Sequence, residues 1–253
     1  MAELHIVRHG QASLFAADYD VLSPLGHLQA QRLGAHWAAR GWVPDLVICG
    51  PAKRHGGTAA GAAAGFAAGA AAPPPAFAEP LVLPGLDEFD VFTLLQRVTP
   101  ALTAADEPTR LAAAELAAQV DPGRRGGALQ RLLERVMTLW FRDELLAKLD
   151  GDAALEGIES WPAFHQRVHD ALRIALAEAD ARQARRAAIF TSVGPIAVAL
   201  HTLVELPVHA AFETAWRVRN ASVTRFVRAG DRVTLDQFNL VDHLPDPAEV
   251  THR

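Results

Sequence analysis

Arg8, His9 and Gly10 stand together directly after the short apolar run Leu4-His5-Ile6-Val7. They combine a permanent cation, an imidazole and a backbone position open to close approach. A guanidinium suits phosphate because its fixed fork makes paired, charge-assisted hydrogen bonds. A neutral imidazole can attack phosphorus near physiological pH. By itself such a tripeptide also fits an exposed loop of ordinary polar residues, so the chemistry depends on what else the chain brings. Farther along, Arg54 offers a second cation, and Asp87, Glu88 and Asp90 offer carboxyl groups. Each of these, seen singly, is an ordinary solvated charge.

The elements that would position these residues alternate as in an α/β protein. Leu4–Val7 reads as a buried strand running into the Arg-His-Gly loop, and ligands of open α/β sheets bind at such carboxyl strand ends. Ser23 and Pro24 open a helix through Ala30, Leu33 and Trp37 that Gly41 stops. Asp45–Cys49 is a second buried strand, and strand, helix, strand implies a parallel pair with a right-handed crossover. From Ala52 to about Ala72 the composition is helical, loosened at the start by Gly56 and Gly57, while Gly61, Gly65 and Gly69 would allow close helix packing. A proline-rich connector at 72–80 leads to the apolar piece Leu81-Val82-Leu83.

Residues 91–157 carry helical periodicity without a strand signal and read as a helical insert capping the sheet, within a single domain of 1–253. A helix follows from Ser160, with Trp161, Phe164, Val168 and Leu172 on its buried face. Ser160 caps and Trp161 packs, so Glu159-Ser160-Trp161 has a structural reading. Ala187–Thr191 is a third strand, followed by a turn at Gly194-Pro195 and a helix to about Val204. Ser222–Arg228 and Arg232–Phe238 read as a hairpin across Ala229-Gly230-Asp231.

Composition narrows the partners. The chain has 253 residues, half of them hydrophobic, enough for a substantial core. A net charge of −5, with no basic face interleaved with aromatics, argues against nucleic acid. The single Cys49 forbids an internal disulfide, and no Cys/His cluster has structural zinc spacing, so neither a metal nor a cofactor is expected. The charged N-terminus lacks a signal-peptide pattern, and no charge-free apolar stretch of about eighteen residues is present. A cytoplasmic location without membrane association is the expectation.

The order of the motifs resembles the histidine phosphatase superfamily, also called the phosphoglycerate mutase-like family. The resemblance is carried by Leu4 to Ser13, Leu22 to Ala30, Arg54 with Thr58, Leu86 to Asp90, Glu159 to Trp161, Thr191 to Ile196, Asn220 to Thr224, Phe238-Asn239 and His243-Leu244. It implies a three-layer α/β/α fold with a mostly parallel sheet and a C-terminal hairpin. It also implies His9 as the phosphorylated nucleophile, Arg8 and Arg54 on the phosphoryl oxygens, and Glu88 as the proton donor, with Asp87 and Asp90 as alternatives. Gln11 and Ser13 fall where the loop after the nucleophile meets a small phosphorylated substrate.

One part departs. The family usually carries a second histidine in the turn after the third strand, where this chain has Thr191-Ser192-Val193-Gly194-Pro195. Ser192 can donate a hydrogen bond to a phosphoryl oxygen but brings no positive charge, and Val193 would resist a positive φ. Both stay in the candidate substrate-binding set. His201 should lie about two turns down the next helix, leaving no neighbouring histidine to substitute. His55 is expected at the surface, within reach of the pocket entrance. The resemblance thus implies a metal-independent phosphomonoester hydrolase, whose activity the missing second imidazole would reduce. The alternatives are a phosphate-binding or interaction protein without catalysis and a phosphoglycerate mutase.

Overall fold

The computed structural model describes residues 2–13, 20–70, 77–149 and 152–252. Part of the connector expected at 72–80 lies outside them. Among the described residues, six strands form one sheet: β1 (Ala2–Arg8), β2 (Leu46–Cys49), β3 (Leu81–Val82), β4 (Arg186–Thr191), β5 (Val223–Ala229) and β6 (Arg232–Leu240). Their order is β3-β2-β4-β1-β5-β6. The first four run parallel, while β5 pairs antiparallel with β1 and with β6. The expected α/β fold with a mostly parallel sheet and a terminal hairpin is therefore observed.

Both faces of the central parallel strands are buried, as a parallel sheet requires. On one face Val7, Val47, Cys49, Ala188 and Phe190 pack against Leu33 and Trp37 of α1 (Pro24–Ala39) and Phe66 of α2 (Lys53–Gly69). On the other, Leu4, Ile6, Leu46, Ile48 and Ile189 are equally buried.

The two helices α1 and α2 meet backbone to backbone. A Cβ on Gly65 would lie 1.9 Å from the Gln31 carbonyl oxygen, and one on Gly34 would lie 1.8 Å from that of Ala62. Gly56, in contrast, faces open space. Gly56→Ala should therefore stabilise the fold by about 0.5–1 kcal/mol through helix propensity. Gly65→Ala should destabilise it by about 1–3 kcal/mol, because overpacking forces the helices apart. Urea unfolding of the two variants checks the opposite signs; equal shifts would contradict the close packing.

Contacts divide the chain into two compact units, residues 1–88 with 167–253, and residues 89–166. The second holds α3 (Val91–Ala105), α4 (Glu107–Ala118), α5 (Pro122–Phe141) and α6 (Leu145–Lys148), with no strand among its described residues. Leu132, Val136, Leu139 and Trp140 form the buried stripe of α5. Its polar centre is the buried Asp106, whose carboxylate accepts from Thr109 and takes a two-point hydrogen bond from Arg135, with Lys148 Nζ 3.0 Å away. Those partners sit on α4, α5 and α6, so one carboxylate ties three helices together.

The division between units falls within α7 (Trp161–Ala181). Trp161 and Phe164 pack with Trp140, in line with the structural reading of that segment. α8 (Val193–Leu203) and α9 (Val208–Ala215) complete the first unit.

Candidate active site

Arg8, His9, Arg54, Glu88 and Ser192 all belong to the first unit, around the carboxyl ends of β1, β2 and β4. His9 follows β1 and is fixed at its backbone from both sides. Its amide donates to the Thr191 carbonyl at 2.9 Å, and its carbonyl accepts from Ala221 N and Asn220 Nδ2. Gly10 has no room for a side chain, since a Cβ would lie 2.5 Å from the Gly26 carbonyl oxygen. The Gly10 amide donates to Thr58 Oγ1 at 3.0 Å, and that hydroxyl donates to the Arg54 carbonyl at 2.7 Å. One threonine thus links the loop after β1 to the helix that presents the second cation.

The His9 ring is buried, and its Nδ1 lies 2.7 Å from the Gly10 carbonyl oxygen. A carbonyl only accepts, so Nδ1 carries the proton and Nε2 has the free lone pair. Burial, reinforced by the Arg8 and Arg54 charges, holds the pKa of His9 well below its ordinary value. The imidazole is neutral, the form that can act as a nucleophile.

Arg54 lies in the first turn of α2. Its Nη1 donates to Asp20 Oδ1 at 2.6 Å, and its Nη2 approaches Ser192 Oγ at 3.4 Å. Asp20 also accepts from the Lys53 amide, capping a helix whose own N-cap residue, Ala52, has no capping side chain. The loose helix start expected at Gly56 and Gly57 is corrected by this remote cap: α2 is regular from Lys53. Arg8 donates from Nη1 to the Val218 carbonyl at 2.5 Å.

Glu88 follows a 3-10 turn at Pro84–Leu86. Its Oε2 accepts from the Gly194 amide at 3.0 Å, which brings the carboxylate to the turn after β4. Arg167 of α7 holds the backbone here, donating to the Gly85, Asp87 and Glu88 carbonyls. Asp87 Oδ1 accepts from the Glu88 amide, and Asp90 caps α3 by accepting from Thr93. Of the three carboxylates, Glu88 is the one bonded to the turn that carries Ser192.

Gln11 is tied to the start of α1, its Oε1 accepting from Ser23 Oγ and its amide donating to Gln29 Oε1. Ser13 is anchored by its amide to the Val21 carbonyl. Among the described residues no hydrogen bond joins Ser13 to His9, Arg54 or Ser192.

Two expectations for the turn after β4 need correction. Val193 is the first residue of α8 and has no positive φ, because Ser192 is the helix N-cap and the chain turns directly into the helix. His55 is not a surface residue: it is fully buried, with Nε2 2.7 Å from Ser192 Oγ. A histidine does therefore neighbour the serine, arriving from α2 rather than from α8. Asp20, His55 and Arg167 were not among the residues singled out by sequence for the site. Only His55 left a trace there, as a surface side chain within reach of the pocket entrance.

Buried histidines extend beyond the site. His5 stacks on Trp42 with ring centroids 3.9 Å apart, and His243 is buried near His36. Burial pushes His5, His55 and His243 down to about 3. These rings stay neutral in the fold, whereas the unfolded chain protonates them near pH 6.5. Stability is therefore fully present above about pH 6.5 and falls as pH drops toward 3, by about 1.4 kcal/mol per pH unit for each ring. Urea unfolding at pH 7.5 and 5.5 should show a loss of several kcal/mol; a flat profile would contradict the neutral rings.

Among the described residues, no group of three or more His, Cys, Asp or Glu could hold a metal ion, and no helix is long and apolar enough to cross a membrane. A model of the histidine phosphatase superfamily (branch 1) matches residues 140–241. No curated protein matches the chain by sequence. The fold is shared with solved structures at low identity. A phosphoserine phosphatase from Entamoeba histolytica, in complex with phosphoserine, has a TM-score of 0.60 at 15% identity, covering 96% of this chain and 100% of that one. A phosphoglycerate mutase from Bacillus anthracis gives 0.61 at 16%, covering 96% and 95%. A mycobacterial glucosyl-3-phosphoglycerate phosphatase gives 0.54 at 22%, covering 94% and 99%.

Proposed function

From the premise of the histidine phosphatase superfamily, we propose that this chain is a phosphomonoester hydrolase working through a phosphohistidine at His9. The observation that carries the proposal is the buried, neutral His9 ring, its Nδ1 proton fixed on the Gly10 carbonyl and its Nε2 lone pair free. The relatives in fold named for phosphatase activity support the reaction class, and the Arg-rich strand ends support the anion.

In the first half-reaction His9 Nε2 attacks phosphorus, the P–N bond forms and the P–O ester bond breaks. Glu88, entering as the carboxylic acid, gives its proton to the leaving oxygen. Arg8, Arg54 and Ser192 hold the phosphoryl oxygens, with Gln11, Ser13 and Val193 lining the substrate side. In the second half the Glu88 carboxylate takes a proton from water, whose oxygen attacks phosphorus as the P–N bond breaks. Phosphate leaves, and His9 and Glu88 return to their starting states. No step draws on a metal or cofactor.

The test is turnover of an aryl phosphate, in the presence of a chelator, with a phosphoenzyme that is acid-labile and base-stable. No turnover above background across a broad panel of phosphate esters would sink the hydrolase. A second reading is favoured by Ser192: a serine in place of a cationic imidazole fits a site that binds phosphate without turning it over. Vanadate or phosphate binding without turnover would select that reading. Isomerisation of monophosphoglycerates would instead indicate a mutase, for which no residue of the site argues.

A further inference from the structure

Ser192 is the N-cap residue of α8 yet makes no capping hydrogen bond. A serine in that place ordinarily accepts from the amide two or three residues on. Here the Oγ is instead engaged by two residues of α2, His55 Nε2 at 2.7 Å and Arg54 Nη2 at 3.4 Å. The His55 ring lies 5.8 Å, centroid to centroid, from that of His9. Its Nδ1 edge is pressed against Gly50, where a Cβ would come within 2.4 Å. Ring and hydroxyl are both buried, and a buried polar pair persists when each group satisfies the other.

A serine hydroxyl has one proton and two lone pairs. If Nε2 of His55 is bare, the hydroxyl proton points to the ring and is not available to a ligand. If Nε2 carries the proton, it donates to Oγ, and the hydroxyl proton is released to donate elsewhere. The Gly50 backbone is a hydrogen-bond partner on the Nδ1 side, which favours the first arrangement in the resting chain; an anion beside Arg54 favours the second, because it offers the hydroxyl proton an acceptor and its charge stabilises a ring that donates from both nitrogens.

We infer that His55 is a positioning residue of the anion site: by donating from Nε2 it orients the Ser192 hydroxyl and frees it to hold a phosphoryl oxygen beside Arg54. The inference rests on reading the His9 cluster as a phosphoryl site, though not on that site turning over. The imidazole thus acts through the serine, and the two residues form one device contributed by α2 and the start of α8.

The experiment compares His55→Ala, Ser192→Ala, their double variant and His55→Gln with the native chain. Each is checked for a native melting transition, then measured for vanadate affinity and for kcat and KM on an aryl phosphate. Each alanine variant should weaken vanadate binding about tenfold or more and lower kcat up to about a hundredfold, with a smaller change in KM. The double variant should be no worse than the poorer single, since the two side chains work as a unit. His55→Gln should recover most of the loss, because its amide nitrogen can donate to the serine. If His55→Ala does not fold, Ser192→Ala and His55→Gln carry the comparison. Losses that multiply in the double variant, no recovery with glutamine, or vanadate affinity equal in all forms would overturn the inference. Vanadate binding by the native chain without turnover would remove the hydrolase and leave the inference to be decided by affinity alone. No vanadate binding at all would overturn both.

Discussion

His9→Ala should lower turnover of any phosphate ester by about 10⁴- to 10⁶-fold and abolish the phosphoenzyme, while leaving the chain folded. The magnitude follows from the proposed role of His9 as a nucleophile that its neighbours cannot replace. His55 is the nearest imidazole identified, but its Nε2 is engaged with Ser192 and its Nδ1 edge with Gly50. The fold should survive because the backbone of residue 9, not its ring, makes the connections to Thr191, Asn220 and Ala221. The buried ring does leave a cavity, costing stability by about 1–3 kcal/mol. Binding should outlast turnover, since Arg8 and Arg54 remain. Rapid acid and alkaline quenching after exposure to labelled substrate reads the phosphoenzyme directly. Full turnover in the variant would place the nucleophile elsewhere.

Glu88→Gln should reduce hydrolysis of alkyl phosphates by about 10²- to 10⁴-fold. The substitution is nearly isosteric, and the glutamine oxygen can still accept from the Gly194 amide, so the turn after β4 keeps its shape. What is lost is proton transfer. An alkoxide leaving group needs that proton, whereas a nitrophenolate departs without it, so aryl substrates should lose less in the first step. Activation of water for the second step is lost for both. With an aryl substrate the expected signature is therefore a burst of phenolate release followed by a slow steady state, as the phosphoenzyme accumulates. Equal losses for alkyl and aryl substrates without a burst would contradict the assignment. An unchanged alkyl rate would shift it to Asp87, whose carboxylate lies one residue away and bonds the Glu88 amide.

Much of this was readable along the chain because its signals are local. Leu4–Val7, Asp45–Cys49 and Ala187–Thr191 are short apolar runs ended by loop residues, and they became central strands within a residue or two of the expected bounds. The hairpin turn at Ala229-Gly230-Asp231 is equally local, with Gly230 at a positive φ. Arg8 and His9 stand out because they close a strand, whereas Arg54 and Glu88 are singled out only by the resemblance.

The residues that escaped depend on contacts between distant segments. His55 reads as a surface residue in a helix of small residues, and only the register of α2 against the turn at Ser192 buries it. Asp20 gives no sequence sign that it will cap α2 and hold Arg54. Val193 was misjudged for a different reason: a turn with glycine-like demands was assumed, whereas the helix begins at Val193 itself, where ordinary negative φ suffices.

Glu88 is the last residue of the α/β unit before the chain enters residues 89–166, and Arg167 is the first on its return. Arg167 donates to the carbonyls of Gly85, Asp87 and Glu88, so the outgoing and returning strands of chain are clasped at the base of the excursion. Glu88 is thereby anchored from within the α/β unit. In engineering terms the clasp is a graft point: exchanging residues 89–166 for another segment should leave the Glu88 backbone held by Arg167.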